Sequence, residues 1–267
     1  MPVLIGRQTV PDRAMGCWHR RYIRFEDGSE DTSTRVIWLQ TPSGMCDMRI
    51  SAGRPDFSQH LQFSDCSDDE LVALAKQDCS CGITILDEAA TPYPTARWED
   101  GDSGFMHQTV INFPEDGWFE WKEEGACMME YAPSGAYEED WRLQDNSRNI
   151  AAHLLRRNSE TTTNLYVAGA YAIMAVDRSI LINEERPLHE IIAEKLCDRD
   201  SVYAYLNTEF SYANADDSNE YKIALSNVPW REGQKLSLGW LMDMDEDAQV
   251  ITDDAGHKWD VISYWSG

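Results

Sequence analysis

Charged, amide and aromatic side chains alternate with apolar ones along residues 35–50 of the chain. This pattern is typical of two β-strands joined by a Pro-Ser-Gly turn. Because side chains alternate between the two faces of a strand, one face of the hairpin would carry Trp38, Gln40, Asp47 and Arg49. A guanidinium binds a carboxylate through two parallel hydrogen bonds, and aromatic rings cover the apolar part of a ligand. The hairpin therefore predicts one wall of a site for a small molecule.

Other predicted strands add candidate residues to this site. They cover residues 17–25, 105–113, 118–122 and 126–131. The ligand-binding candidates on them are Trp18, Arg20 and Trp121. The candidates for proton transfer are Tyr22, His107 and Glu130. Such groups, with an arginine to hold a carboxylate, could decarboxylate or isomerise a small aromatic acid without a cofactor.

The sequence alone does not decide which face of the hairpin points into the barrel. A single β-bulge reverses the facing of the side chains that follow it. With the opposite facing, the interior would hold Ile37, Leu39, Met48 and Ile50, and the charged residues would face water. His107 and Glu130 could each have a structural or surface role in place of a catalytic one. The functional prediction depends on these choices.

Motifs of metal and nucleotide sites are absent from the sequence. The six histidines include no pair at the i, i+2 or i, i+4 spacing of metal-binding motifs. Cys79 and Cys81 are too close together and too isolated for a zinc knuckle. No glycine-rich phosphate loop and no Gly-x-Ser-x-Gly turn is present. We therefore predict no metal and no cofactor, and an enzyme of this sequence would be a metal-free lyase or isomerase.

The chain is strongly acidic, with 47 acidic against 23 basic residues and a formal net charge of −24. Such a surface repels phosphate backbones and anionic lipids. We therefore predict that neither a nucleic acid nor a membrane is a partner. The same surface could attract a basic protein, and association with a protein partner or with a second copy of the chain stays open.

Two features of the sequence bear on the location of the protein. The first residues lack the long apolar core of a signal peptide, and no apolar run approaches the length of a membrane span. The seven cysteines, an odd number, favour reduced thiols over a disulfide framework. We therefore expect a cytoplasmic protein.

The chain divides into two halves of similar plan, residues 1–146 and residues 147–267. Short predicted strands separated by turn clusters fill both halves. Eight or so strands in a meander, as in the first half, are what an up-and-down barrel requires. We therefore predict a mainly β fold of two tandem antiparallel barrels.

Each half also contains one predicted short helix. The first covers residues 67–77 and begins with a capping box formed by Ser67 and Glu70. The second covers residues 187–197, where apolar residues recur at helical spacing. The residues that follow, 202–212, are predicted as a strand.

Three segments of the chain point to a known family. They are residues 256–264 with Trp259 and Tyr264, residues 124–130 followed by Gly135 and Trp141, and residues 165–174 around Gly169. These segments resemble those of the fungal Hri-type proteins, which are built as tandem calycin-like (lipocalin-like) barrels. The resemblance implies a calycin-like barrel for each half, and it supplies no catalytic residue.

Three functional classes follow from these observations. We expect the first barrel to bind a small, partly apolar and anionic molecule. The alternative is a cofactor-independent lyase or isomerase of a small aromatic carboxylic acid, with Arg20 or Arg49 as the anion clamp. A second alternative is a scaffold that presents its acidic surface to another protein.

Overall fold

The computed structural model describes residues 3–100, 106–108, 115–178, 180, 182, 186–243 and 248–267. Its first strand is β1 (Val3–Ile5). The next nine are β2 (Gly16–Phe25), β3 (Glu30–Asp31), β4 (Arg35–Gln40), β5 (Gly44–Ile50), β6 (Asp78–Asp87), β7 (Thr95–Asp100), β8 (Gly117–Lys122), β9 (Cys127–Tyr131) and β10 (Tyr137–Leu143). The remaining strands are β11 (Ile150–Arg157), β12 (Thr162–Ala168), β13 (Tyr171–Val176), β14 (Glu209–Ala215), β15 (Tyr221–Ser226), β16 (Lys235–Leu236), β17 (Val250–Thr252) and β18 (Lys258–Ser266).

The first half of the chain forms a closed antiparallel barrel of eight strands. The strands follow one another in the order β2-β4-β5-β6-β7-β8-β9-β10, and β10 pairs with β2 to close the ring. The short β3 pairs with the C-terminal part of β2. Because the side chains of each strand alternate between the two faces of the sheet, one set points into an enclosed interior.

The second half forms a nine-stranded sheet in the order β1-β18-β11-β12-β13-β14-β15-β16, with β17 also paired to β18. The N-terminal β1 thus belongs to the second sheet, although the change from one sheet to the other falls between Leu143 and Ile150. This sheet curls around one apolar core that includes Leu154, Leu165 and Ile223. The predicted mainly β fold of two tandem barrels is confirmed, and its assignment to the calycin-like group stays a prediction.

The hairpin formed by β4 and β5 is buried on both of its faces. Its outer face contributes Leu39, Cys46 and Met48 to a core that also contains Tyr166 and Phe210 of the second sheet. The apolar face that the sequence offered as an alternative interior therefore packs between the two sheets. The other face is left to line the inside of the barrel.

Three short helices pack together in an apolar cluster: α1 (Asp68–Ala75), α2 (Leu188–Ala193) and α3 (Arg199–Leu206). Helix α1 begins with the predicted capping box, in which Ser67 Oγ accepts a hydrogen bond from the N–H of Glu70 and the carboxylate of Glu70 accepts one from the N–H of Ser67 at 2.7 Å. None of the described helices is long and apolar enough to cross a membrane.

The prediction of a strand over residues 202–212 is wrong for its first part. Asp198 accepts a hydrogen bond from the N–H of Ser201 at 2.8 Å and so begins α3, and the strand β14 starts only at Glu209. Val202 and Leu206, four residues apart, point into the cluster of helices. A short run of apolar residues fits a helix and a strand equally well, so periodicity alone could not separate them.

Candidate functional site

A cavity of about 660 Å³ lies within the first barrel. Its aromatic walls are formed by Trp38, Trp98, Tyr137 and Trp141. Its ionisable lining consists of Asp47, Arg49, Lys76, Asp78, Glu130, Glu139 and His189. The volume and the mainly apolar and aromatic lining with a few polar groups are typical of small-molecule sites.

The helices contribute one side of this cavity. Lys76, directly after α1, is exposed, and it lines the cavity together with Pro187 and His189 at the start of α2. Because α2 comes from the second half of the chain, both halves contribute to the cavity lining.

The hairpin of β4 and β5 turns its polar and aromatic face toward the cavity. Trp38 lies opposite Asp47 on the neighbouring strand, and both line the cavity with Arg49. Gln40 does not reach the cavity lining. It is fully buried at the turn, where its Nε2 donates hydrogen bonds to the carbonyls of Thr41 at 2.7 Å and Gly44 at 3.2 Å.

Both arginines that were predicted to bind an anion are engaged by carboxylates. Arg49 Nε donates to Asp47 Oδ1 at 2.8 Å, and this neighbouring charge raises the pKa of Arg49 well above its usual value. Arg20 Nη1 donates to Glu139 Oε1 at 2.6 Å, and the Arg20 side chain is only 5% exposed. Each guanidinium therefore already holds a carboxylate of the protein, Arg49 through Nε and Nη2 and Arg20 through Nη1.

Glu130 is buried and held by two neutral donors. The hydroxyl of Tyr137 donates to its Oε1 and the indole N–H of Trp141 to its Oε2, both at 3.1 Å. The pKa of Glu130 is raised to about 8, chiefly by burial and then by the neighbouring Glu139, against the opposing effect of Arg49. The carboxyl group therefore carries its proton through most of the neutral range, and it could act as an acid or a base inside the cavity.

Asp78, at the start of β6, is the remaining acidic residue of the lining. Its side chain is exposed, and no ion pair reaches it within the described part of the chain. The pKa of Asp78 is raised, chiefly because the surrounding protein displaces water from its carboxylate. Arg49 opposes this shift and Asp47 adds to it.

Tyr22 lies outside the cavity. In the pairing of β2 with β10, Arg20 lies opposite Trp141 and Tyr22 opposite Asp140, so one extra residue of β2 bulges between them. The bulge changes the facing of the strand, and Ile23 rather than Tyr22 lines the cavity. The prediction of Tyr22 as a proton-transfer residue of this site is therefore wrong.

Two further aromatic candidates belong to the core of the barrel. Trp18 is fully buried, packs against Trp38 with ring centroids 6.4 Å apart, and donates its indole N–H to the carbonyl of Ala14 at 2.9 Å. Trp121 packs against Trp18 with centroids 5.8 Å apart. Neither of them lines the cavity.

His107 is buried against the helices and not in the cavity lining. Its Nε2 lies 3.0 Å from the carbonyl oxygen of Leu74, and its Nδ1 lies 3.3 Å from the side-chain nitrogen of Asn227. Burial, and to a smaller extent the charge of Arg178, lowers the pKa of His107 to about 3. The predicted strand that carried it, residues 105–113, lies mostly outside the described residues.

Several lining residues were not selected from the sequence, namely Asp78, Trp98, Tyr137, Glu139 and Trp141. Three of them, on β10, alternate along the strand. The same alternation that indicated the hairpin therefore also predicts Tyr137, Glu139 and Trp141 on one face of β10. In the described part of the chain, no group of three or more His, Cys, Asp or Glu residues is placed to hold a metal ion.

Comparisons with known proteins support the fold and give no activity. No family model and no curated protein matches the chain. Among solved structures, the chain is similar to the uncharacterized protein YLR301w from Saccharomyces cerevisiae, with a TM-score of 0.56 and 13% sequence identity. The match covers 93% of this chain and 98% of the yeast protein. At this level of identity the likeness extends to the fold alone.

Proposed function

We propose that the protein binds a small, partly apolar molecule in the cavity of the first barrel. The observation that carries the proposal is a cavity of about 660 Å³ that is lined by aromatic rings and a few convergent polar groups. A scaffold would have no need of such a cavity, which favours ligand binding over the third functional class. Arg20 and Arg49 are each paired with a carboxylate of the protein, so we do not include the expected negative charge of the ligand in the proposal.

A variant that fills the cavity tests this function. Ser80 lines the cavity, and Ser80→Phe would place a large ring in it. A fragment that stabilises the native protein by binding it should raise the melting temperature of the wild type and not that of Ser80→Phe. The matched control is Ser159→Phe in an exposed turn, which should respond like the wild type. Equal responses of all three proteins would show that binding occurs elsewhere.

Glu130 favours a second candidate function, a cofactor-independent lyase or isomerase. A carboxyl group with a pKa near 8 inside a cavity is suited to proton transfer at neutral pH. Each fragment that binds would be incubated with the protein and followed by NMR for chemical change. The enzyme hypothesis expects turnover that Glu130→Gln abolishes even at fragment concentrations that saturate the variant. Absence of turnover for every bound fragment would contradict the enzyme hypothesis and leave ligand binding as the proposed function.

We also propose a cytoplasmic location. It is supported by the seven cysteines of the chain, an odd number that favours reduced thiols over a disulfide framework. Fractionation of cells that express the chain would test the location, and recovery of the protein outside the cytoplasm would contradict it.

A further inference from the structure

The cavity contains more acidic than basic groups. Four carboxyl groups line it, those of Asp47, Asp78, Glu130 and Glu139, against the three basic side chains of Arg49, Lys76 and His189. The carboxylate of Asp47 is paired with Arg49, and that of Glu139 is paired with Arg20 outside the lining. The two carboxyl groups of the lining that remain are those of Glu130 and Asp78.

Neither Glu130 nor Asp78 has a cation as a partner in the described structure. Glu130 accepts hydrogen bonds only from the neutral hydroxyl of Tyr137 and the neutral indole of Trp141. Asp78 forms no ion pair with any described residue. A buried or partly enclosed carboxylate is unfavourable until a positive charge lies nearby. The positive charge that acts on both positions is that of Arg49, which lies opposite Asp78 on the neighbouring strand and is already paired with Asp47.

Aromatic rings line the same cavity as these carboxyl groups. Tyr137 and Trp141 contact Glu130 directly, and Trp38 and Trp98 complete the aromatic lining. The faces of such rings attract cations, and tryptophan does so most strongly. Carboxyl groups among aromatic rings form an environment that suits an ammonium group on an apolar body.

We propose that the ligand of the first barrel is an organic cation, whose positive charge is balanced by carboxyl groups of the lining, Glu130 and Asp78 among them, and whose apolar body packs against the tryptophans. This inference rests on the proposed ligand-binding function and names the chemical class of the ligand. An anion would meet this excess of carboxyl groups, and Arg20 and Arg49 each already hold a carboxylate of the protein. The raised pKa values of Glu130 and Asp78 support the inference, because a bound cation would favour their ionised forms.

Three probes with the same aromatic body separate the charge of the ligand from its shape. They are benzyltrimethylammonium, benzyl alcohol and phenylacetate, which carry a permanent positive charge, no charge and a negative charge. Binding would be measured by titration calorimetry and by the fluorescence of the cavity tryptophans at pH 8. We expect the cation to bind at least about tenfold more tightly than the alcohol, with the anion weakest.

Substitution of the two carboxyl groups tests their assignment. Asp78→Asn and Glu130→Gln should each weaken binding of benzyltrimethylammonium about tenfold and leave that of benzyl alcohol nearly unchanged. The control is Asp254→Asn, which removes the same charge at an exposed position of the second half and should bind as the wild type does. The comparison of probes on the wild-type protein does not depend on whether a variant folds.

The outcomes distinguish this inference from the proposed function. Tightest binding of phenylacetate, lost in Ser80→Phe, would overturn the cationic ligand and retain the ligand-binding cavity. Preference for the cation that survives in both carboxyl variants would also overturn the inference, because the charge would be recognised elsewhere. No detectable binding of any probe at millimolar concentration would contradict both the inference and the proposed function.

Discussion

Glu130 has an environment that favours the neutral form of its carboxyl group. The titratable or charged groups that face it are Tyr137 and Glu139 on β10 and Arg49 on β5. Burial and the charge of Glu139 outweigh the opposing effect of Arg49. The ionisation of this one side chain should therefore make the stability of the barrel depend on pH.

The first prediction concerns Glu130→Gln. The pKa of Glu130 rises from 4.5 in the unfolded chain to about 8 in the folded protein, so the folded state binds the extra proton between these values. The wild type should therefore lose stability as the pH rises from about 4.5 to 8. Relative to the wild type, Glu130→Gln should gain on the order of 1 kcal/mol or more between pH 5 and pH 9. Urea unfolding at pH 5, 7 and 9 measures this difference.

The control for this prediction is Glu160→Gln, in an exposed turn of the second half. It should follow the pH dependence of the wild type. A constant difference in unfolding free energy between Glu130→Gln and the wild type at all three values would show that Glu130 ionises at the same pH when folded and unfolded.

The second prediction concerns His107, for which stability should change with pH in the opposite direction. Its pKa falls from 6.5 to about 3 in the folded protein, because burial disfavours the charged ring. The stability associated with the neutral ring should be complete above pH 6.5 and should be lost as the pH falls toward 3. His107→Gln should lower stability at pH 7 and reduce this loss on acidification. Thermal melts from pH 4 to pH 7.5 measure the effect, and parallel curves for both proteins would contradict it.

At the scale of secondary-structure elements, alternation along strands predicted much of the site. It placed Trp38, Asp47 and Arg49 on one face of the hairpin, and all three line the cavity. It failed for Tyr22, because the bulge in β2 depends on its pairing with β10 and leaves no mark in the sequence of β2 itself. The position of Asp78 could not be predicted either, since it depends on how the helices and β6 meet at the cavity.

The two faces of the β4–β5 hairpin give the third prediction. Leu39 is completely buried between the sheets, whereas Leu61 is 79% exposed. Leu39→Ala should cost about 2–5 kcal/mol of unfolding free energy, because it removes buried surface and leaves a cavity. Leu61→Ala should change it by less than about 0.5 kcal/mol. Denaturant unfolding compares the two, and equal costs would contradict the packing described for the hairpin.

At the scale of the whole molecule, apolar clusters join the halves of the chain. One lies between the hairpin and the second sheet, another unites α1 with α2 and α3, and a third packs Met15 against Ala151 and Trp265. The sequence predicted two barrels from the repeated plan of strands and one helix. It could not predict how they pack, because the residues in contact come from distant parts of the chain.

These shared clusters give the fourth prediction, that the two barrels unfold together. Neither half can open without exposing apolar residues of the other, so intermediates with one folded barrel should be poorly populated. Tryptophan fluorescence and far-ultraviolet circular dichroism should report the same midpoint in urea. Two separated transitions would show that the barrels are independent in stability.

The central claim, that a small molecule binds in the first barrel, is tested most directly by a fluorescence titration of the wild type and Ser80→Phe with benzyltrimethylammonium. Trp38, Trp98 and Trp141 line the cavity, so occupancy should change their emission. We expect a saturable change for the wild type and none for Ser80→Phe. A saturable change of the same size in both proteins, or no change in the wild type with this cation, benzyl alcohol or phenylacetate, would contradict the claim.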